Sequence, residues 1–225
     1  MTYLDQNETS SGNGLKSNEQ VLIDDYDFSI GELISEGLDL FKKGAGNYVA
    51  FTLVFLIISV ILGLIPIIGT LASLLITPPL SAGFFIVTDK IKRNEAYTFS
   101  NFFDGYKLAF GNLIVLSIVS TILVILGFLL LVLPGIYLAI GYTLAVPIML
   151  FTTNPFWESM ELSRKVVSKR FWLFLGTFIL IGLIGVIFTA ITIGLGALIV
   201  MPVGYIIIYL IFYKIFNDLQ AVPAA

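Results

Sequence analysis

Neither cysteine nor histidine occurs anywhere in this chain. Without cysteine there is no disulfide framework, no thiolate nucleophile and no sulfur ligand for a metal. Without histidine the commonest general base and the commonest transition-metal ligand are both missing. Charge is scarce as well: Asp, Glu, Lys and Arg make up 12% of the 225 residues, against ~25% in an ordinary soluble domain. Apolar residues make up 58%, with a mean hydropathy of +1.00. A water-soluble fold has too few polar residues here to cover its surface, so the solvent for most of the chain is lipid. Phe and Gly are abundant, at 19 and 20 residues, and Gly is more frequent in membrane helices than in soluble ones.

The net charge of −3 hides an asymmetry. Residues 1–27 carry six acids (Asp5, Glu8, Glu19, Asp24, Asp25, Asp27) and one base (Lys16), or −5. The remaining residues carry nine acids and eleven bases, or +2. The start has no basic stretch leading into an apolar run, so a cleavable signal peptide is not expected. Its Asn, Ser, Gly and acids predict a disordered acidic tail over 1–27. An acidic docking tail is the sharper alternative.

The first ordered element is expected at 28–43. Ile30, Leu33, Ile34, Leu38 and Phe41 share one helical face, with Glu32, Glu36, Asp39 and Lys42 elsewhere. Ser29 and Glu32 have the spacing of a capping box, and Phe28 and Leu33 that of a hydrophobic staple. Such a helix lies along a membrane surface. Six apolar runs follow, at 48–65, 66–88, 112–133, 134–153, 171–193 and 196–213. Each is long enough to cross a hydrocarbon core of ~30 Å. They do not alternate, so they read as helices rather than barrel strands. With six crossings, all twelve bases fall on one side: Lys16, Lys42 and Lys43, then Lys90, Lys92, Arg93 and Lys107, then Arg164, Lys165, Lys169 and Arg170, then Lys214. The loops around Pro66, Pro134 and Gly194 have no charge. The positive-inside rule then places both termini in the cytoplasm.

The chain also repeats itself. A shift of 68 residues lays Gly37 on Gly105, Pro66 on Pro134 and Pro79 on Pro147. Phe99, Phe102, Phe103, Tyr106 and Phe110 share a face in the second pre-span element. A third is expected at 155–170, with Asn154 and Pro155 as helix cap and first turn. The predicted fold is therefore all-α and integral to a membrane. It has six transmembrane helices in three repeated hairpins (28–88, 99–153, 155–216), each preceded by an interfacial amphipathic helix, with a short tail at 217–225. Pro78, Pro79, Pro147 and Pro202 fall within returning spans. Proline frees a carbonyl and kinks a helix, and Pro78-Pro79 is expected to bend it most. Two readings follow: a cavity or hinge lined by freed carbonyls, or a packing kink satisfied by neighbours.

Ionisable residues within spans mark ion and proton paths, and none is expected at depth here; Asp89 stands at the very edge of the second run. The polar groups available within spans are hydroxyls, among them Ser73, Ser117, Ser120 and Thr177. Gly127 near Gly135, and Gly182 with Gly185, suggest close helix packing. The richest cytoplasmic stretch runs from Glu158 to Trp172. Glu161 and Lys165 form a favourable i,i+4 pair. Arg164, Lys165, Lys169 and Arg170 are candidates to bind anionic lipid headgroups, at about 1 kcal/mol each near a charged leaflet. Topology alone would also place them there. No catalytic motif, cofactor site or metal site is legible, and no nucleic-acid partner is expected.

At Leu133-Pro134-Gly135-Ile136-Tyr137, Ala145-Val146-Pro147 and Ser159 to Lys165, the chain resembles a family of bacterial membrane proteins. Its members are similar to the membrane-embedded domain of some glycerophosphodiester phosphodiesterases, and include stand-alone relatives. The resemblance covers about residues 28–215 and implies a bacterial inner-membrane location. The chain departs from the pattern at Gly141-Tyr142, where relatives carry a basic residue further on from the turn, and at Thr152-Thr153-Asn154, where they carry an acid. No polar site is carried over. The catalytic domain of those enzymes needs histidine and is absent. The expectation is a non-enzymatic inner-membrane protein serving as scaffold or in lipid and envelope upkeep. The alternative is a small transporter or permease subunit that uses the proline-kinked helices.

Overall fold

A computed structural model describes residues 15–217. Among the described residues the chain is all-α; the one extended contact is an isolated bridge between Leu15 and Asn217. The helices are α1 (Asn18–Ile23), α2 (Ile30–Lys43), α3 (Ala45–Gly63), α4 (Ile68–Lys92), α5 (Gly105–Leu108), α6 (Phe110–Leu130), α7 (Val132–Gly141), α8 (Ala145–Phe151), α9 (Phe156–Lys169), α10 (Phe171–Ile191) and α11 (Ala197–Phe216), with a 3-10 turn at Phe99–Phe103 before α5. Six segments are long and apolar enough to cross a membrane: α3, α4, α6, α7 together with α8, α10 and α11. The protein is a multi-pass membrane protein. The expected limits of all six runs agree with these helices to within a few residues, because the hydropathy of each run changes sharply at its ends.

The outgoing spans α3, α6 and α10 present Val60, Ile125 and Ile187 to the surroundings, each more than half exposed. The returning spans are different. Leu80 and Phe84 to Asp89 in α4, Leu144 to Phe151 around α8 (apart from half-buried Val146), and Ile206 to Phe212 in α11 (apart from Ile208) are buried on nearly every face. A helix apolar all round and buried all round belongs at the centre of a bundle. The core is therefore where the ends of the three returning spans meet. Phe84 stacks flat on Tyr205, with centroids 4.7 Å apart, and Phe151 packs against Tyr209 and Phe212 at 5.7 and 5.6 Å.

Each pre-span element packs on the returning span of the preceding repeat, and the first closes on the last. In α2, a Cβ at Gly37 would stand 3.1 Å from Ile207 Cγ1 of α11. In the second repeat a Cβ at Gly105 would fall 2.3 Å from the Pro79 carbonyl oxygen, and one at Gly83 would fall 1.9 Å from that of Phe102. Only glycine permits backbones this close. In the third, Ser163 of α9 bonds the backbone between α7 and α8. The 68-residue shift is thus a ring of three units, and Gly37 and Gly105 do the same work in it. The third unit is the loosest. α10 touches α11 closely at Gly185, whose Cβ would lie 2.7 Å from Val200 Cγ1, while Gly182 faces open space. Gly127 and Gly135 let α6 and α7 approach closely, a Cβ on Gly127 standing 3.0 Å from Gly135 Cα.

Several expectations need correction. Residues 15–27 are not a solvated tail: Ser17 and Gln20 form a capping box that starts α1, and Val21 is buried. Residues 1–14 and 218–225 of the expected tails lie outside the described residues. Ser29 makes no side-chain cap bond at the start of α2. The second pre-span element is a 3-10 turn and a four-residue helix rather than one amphipathic helix, because Gly105 must sit against the Pro79 carbonyl. Pro155 itself is the cap residue of α9, and the Asn154 side chain pairs with Asn18 instead. The prolines also act unevenly. Helix α4 runs unbroken through Pro78 and Pro79, and α11 through Pro202. The returning span of the second repeat breaks instead at 142–144. That is one turn before Pro147, where its ring meets the carbonyl of Thr143 and its missing N–H leaves that carbonyl without a helical donor.

Candidate functional site

The charged face is built from short helices held down by side chains that reach backbone. At the break in the fourth span, the Ser163 hydroxyl donates to the Gly141 carbonyl at 2.6 Å and accepts from the Leu144 N–H at 3.1 Å. One buried hydroxyl thus satisfies two of the groups that the break exposes. Further along α9 the Tyr137 hydroxyl lies 2.6 Å from Ser168 Oγ and accepts from Arg164 Nη1 at 3.1 Å, while Ser168 donates to the Arg164 carbonyl. Arg164 also grips Glu161 with two nitrogens, at 2.7 and 2.9 Å. That bidentate contact holds the Glu161 carboxyl below its ordinary range and raises the Arg164 pKa. Lys165 reaches the same carboxylate at 3.6 Å.

The N-terminal arm covers the rest of α9. Lys169 Nζ donates to the carbonyls of Val21 and Asp24 at 3.1 and 3.0 Å. Arg170 pairs with Asp25 at 2.6 and 3.2 Å, which holds the Asp25 carboxyl low. The Tyr26 hydroxyl donates to the Val166 carbonyl at 2.6 Å, and burial pushes its pKa up. The Lys16 N–H donates to the Phe216 carbonyl at 2.8 Å. The arm therefore ties α9 to the end of α11, across the loosest joint of the ring. All four cations singled out for headgroups, Arg164, Lys165, Lys169 and Arg170, already have protein partners. A headgroup would have to displace Glu161, Asp25 or backbone carbonyls.

Asp89, placed by sequence at a span edge, is a buried acid at the centre of the bundle. It is 5% exposed. It accepts from the Tyr209 hydroxyl at 2.7 Å and from Arg93 Nε at 2.9 Å. Beyond it, Lys92 pairs with Glu36 and stands over the Tyr213 ring, and Lys214 reaches Glu32 at 3.3 Å. These pairs fasten α2 to the ends of α4 and α11. Tyr209 was missed from sequence; its signal is a tyrosine within an apolar run, which when buried needs a partner for its hydroxyl. Among the described residues, no group of three or more acids is placed to hold a metal ion.

Between the spans lies a groove of about 320 Å³, bounded by α4, α6, the break at 142–144 and α11. Its walls are Leu74, Leu113, Leu116 and Val146, with Pro78 at its edge. Its polar lining is all hydroxyl: Ser73, Thr77 and Ser81 from α4, Ser117 and Ser120 from α6, and Tyr142 and Tyr205. Ser73, Ser81 and Ser120 turn back to carbonyls three residues earlier. Among the described residues Thr77, Ser117, Tyr142 and Tyr205 make no side-chain hydrogen bond. The groove stands at the level of Pro78 and Pro147, where the sequence left a cavity and a packing kink open as alternatives. Near Pro78, Tyr106 donates to the Ile76 carbonyl at 2.8 Å and Ser81 to that of Pro78 at 2.8 Å; neither is the carbonyl of Leu74 or Leu75 that the two prolines leave without a helical donor. No family model matches this chain, and no curated protein or solved structure matches it.

Proposed function

We propose that the protein is a non-enzymatic membrane scaffold engaged in lipid or envelope upkeep in a bacterial inner membrane, with its charged face in the cytoplasm. The observation that carries this reading is the separation of its polar groups. Every Lys and Arg side chain among the described residues lies on one face, mostly paired with an acid of the same chain. Among the described residues, the polar side chains that line the cavities between the spans are hydroxyls and the amides of Asn112 and Asn154, all uncharged. A charge-coupled pump needs ionisable groups along its path, and a hydrolase needs a nucleophile with a base beside it. Hydroxyls among leucines suit contact with lipid. The likeness of the 133–137 turn to the membrane domain of glycerophosphodiester phosphodiesterases points the same way.

The test is deletion of the gene followed by lipid analysis and an envelope-permeability assay, alongside incubation of the purified protein with membrane lipids. The expected result is altered lipid composition or leakage in the deletion strain, with no lipid turnover by the pure protein. The second reading, a small permease, is favoured by the groove at the proline level. Solute uptake by proteoliposomes that depends on Pro79 and Pro147 would establish it and overturn the first.

A further inference from the structure

The groove between α4, α6 and α11 has features that packing alone does not account for. Thr77, Ser117, Tyr142 and Tyr205 line it, and among the described residues none of their hydroxyls makes a hydrogen bond. A hydroxyl at membrane depth usually turns back to its own helix, as Ser59 does to Phe55 and Thr177 to Leu173. These four do not. Their oxygens are not sealed within the protein but open onto the groove, and where lipid rather than water fills it they need donors and acceptors from the occupant. Tyr205 is also held in place. Its ring lies flat on Phe84 at 4.7 Å and edge-on to Phe85 at 5.4 Å, so its oxygen is fixed relative to the groove. Such fixing lowers the entropy lost on binding.

The lining selects the chemistry. It holds no Asp, Glu, Lys or Arg, and the charges that reach Tyr142 (those of Arg164 and Glu161) are paired with each other, so a phosphate or ammonium entering it would meet no free counter-charge in a medium of low dielectric. Neutral oxygens are matched: hydroxyls donate to ester carbonyls and accept from alcohols. The leucine walls continue this chemistry toward chains. Leu113 and Leu116 line the groove, while Val115 and Ile122 on the same helix α6 are exposed where lipid lies. A volume of about 320 Å³ is at the small end for ligand pockets, ~300–1,000 Å³. It admits a small headgroup and not a bulky one.

We propose that this groove binds the uncharged glycerol-ester headgroup of a neutral membrane lipid, of the diacylglycerol class, with Tyr205, Ser117 and Thr77 bonding its ester and alcohol oxygens. The assignment rests on the lipid-upkeep reading and names its ligand.

The experiment uses the full chain in phosphatidylcholine nanodiscs doped with dioleoylglycerol, with bound lipid counted by native mass spectrometry after release. The variants are Tyr205→Phe, which keeps the ring on Phe84, and Tyr205→Phe combined with Ser117→Ala. Thermal unfolding verifies that each is folded. The expected result is one dioleoylglycerol retained by the wild type and a loss of affinity of about tenfold in the double variant. Equal retention by wild type and variants would overturn the proposal, since the lipid would then be annular. Preference for phosphatidylglycerol, or displacement by free glycerol, would also overturn it, the latter pointing to a water-borne polyol. The two readings fail separately. If dioleoylglycerol is not held in the groove but the deletion strain still shows altered lipids, the site assignment falls and the lipid role stands. If it is held there and the deletion strain is unchanged, the site stands and the role falls.

Discussion

The Tyr209 hydroxyl donates to Asp89 Oδ1 at 2.7 Å, between two returning spans whose side chains are buried at this level. Asp89 has one other donor, Arg93, one turn along its own helix. Among the described residues, the Tyr209 bond is therefore its only hydrogen bond to another span. Replacing Tyr209 with Phe keeps the ring contacts with Phe151 and Phe212 and leaves a buried carboxylate lacking one donor. Interhelical hydrogen bonds in membranes average ~0.6 kcal/mol, but an orphaned buried group costs ~1–3 kcal/mol. The charge on Asp89 favours the larger figure. For a chain of this size the melting temperature in detergent should fall by about 3–8 °C. Lys42→Ala is the control: its pair with Asp39 is 71% and 64% exposed, and its loss should leave the melting temperature unchanged.

Ser163 gives a second prediction. Its hydroxyl is the single partner joining the Gly141 carbonyl and the Leu144 N–H across the break in the fourth span. Ser163→Ala removes one small group and leaves two backbone groups without that partner. A loss of about 1–3 kcal/mol is expected, measured by urea or thermal unfolding in detergent. Ser163→Thr, which keeps the hydroxyl, should recover part of it. Equal loss in both variants would mean that volume, not the bond, matters there.

These two sites show what the sequence could and could not convey. The six spans were legible because each is a long run whose hydropathy reports on lipid directly. The ring of three units was foreshadowed by Gly37 with Gly105 and Pro79 with Pro147, since glycines and prolines mark backbone geometry. Ser163 was not legible as a bridge, because a serine in an amphipathic helix looks the same whether it faces water or a broken span. Asp89 looked like an interfacial acid because burial depends on α11, some 120 residues away. The arm looked disordered because its composition is polar. What orders it is α9, whose Lys169 and Arg170 meet its carbonyls and Asp25.

The arm contact should be sensitive to acid and not to mild pH change. Its Asp25 carboxyl, ordinarily near 3.8, is held lower by Arg170. A group whose pKa is depressed on docking contributes fully above its ordinary value and ceases to contribute as the pH falls through the depressed one. The arm should stay docked from pH 7 to 5 and loosen below about 3.8. Since the chain has no cysteine, spin labels on Glu19→Cys and Lys165→Cys can report the distance between α1 and α9. The distribution should be narrow at pH 7 and pH 5 and broad at pH 3. Arg170→Gln should broaden it already at pH 7, and high salt should do so in part, as for any exposed pair. A narrow distribution in Arg170→Gln at pH 7 would show that Lys169 and Tyr26 hold the arm without the ion pair.

Gly83 makes a steric prediction. A Cβ there would fall 1.9 Å from the Phe102 carbonyl oxygen, which is backbone and has no rotamer to move. Gly83→Ala should therefore push the 99–108 segment off α4 and cost on the order of 3 kcal/mol. Gly111→Ala, where a Cβ meets nothing within 4 Å, should be neutral or slightly stabilising, because alanine is the better helix former. Expression level and melting temperature of the two variants would separate these outcomes.

Topology can be read with the same cysteine-free chain. Lys107 lies on the charged face beside Asp104, and Ile193, 93% exposed, lies at the tip between α10 and α11. Six crossings place these two on opposite sides. A maleimide that cannot cross membranes reacts only with a thiol that ionises in water. It should reach Lys107→Cys only in inverted vesicles and Ile193→Cys only in intact spheroplasts. Labelling of both from one side would require an even number of crossings between them, against the three spans that separate them here. Exchange of the two sides would keep six spans and reverse the positive-inside orientation. That outcome would put the ion-paired face, the arm and all twelve basic residues outside the cell, against the bias that K/R-rich loops impose on insertion.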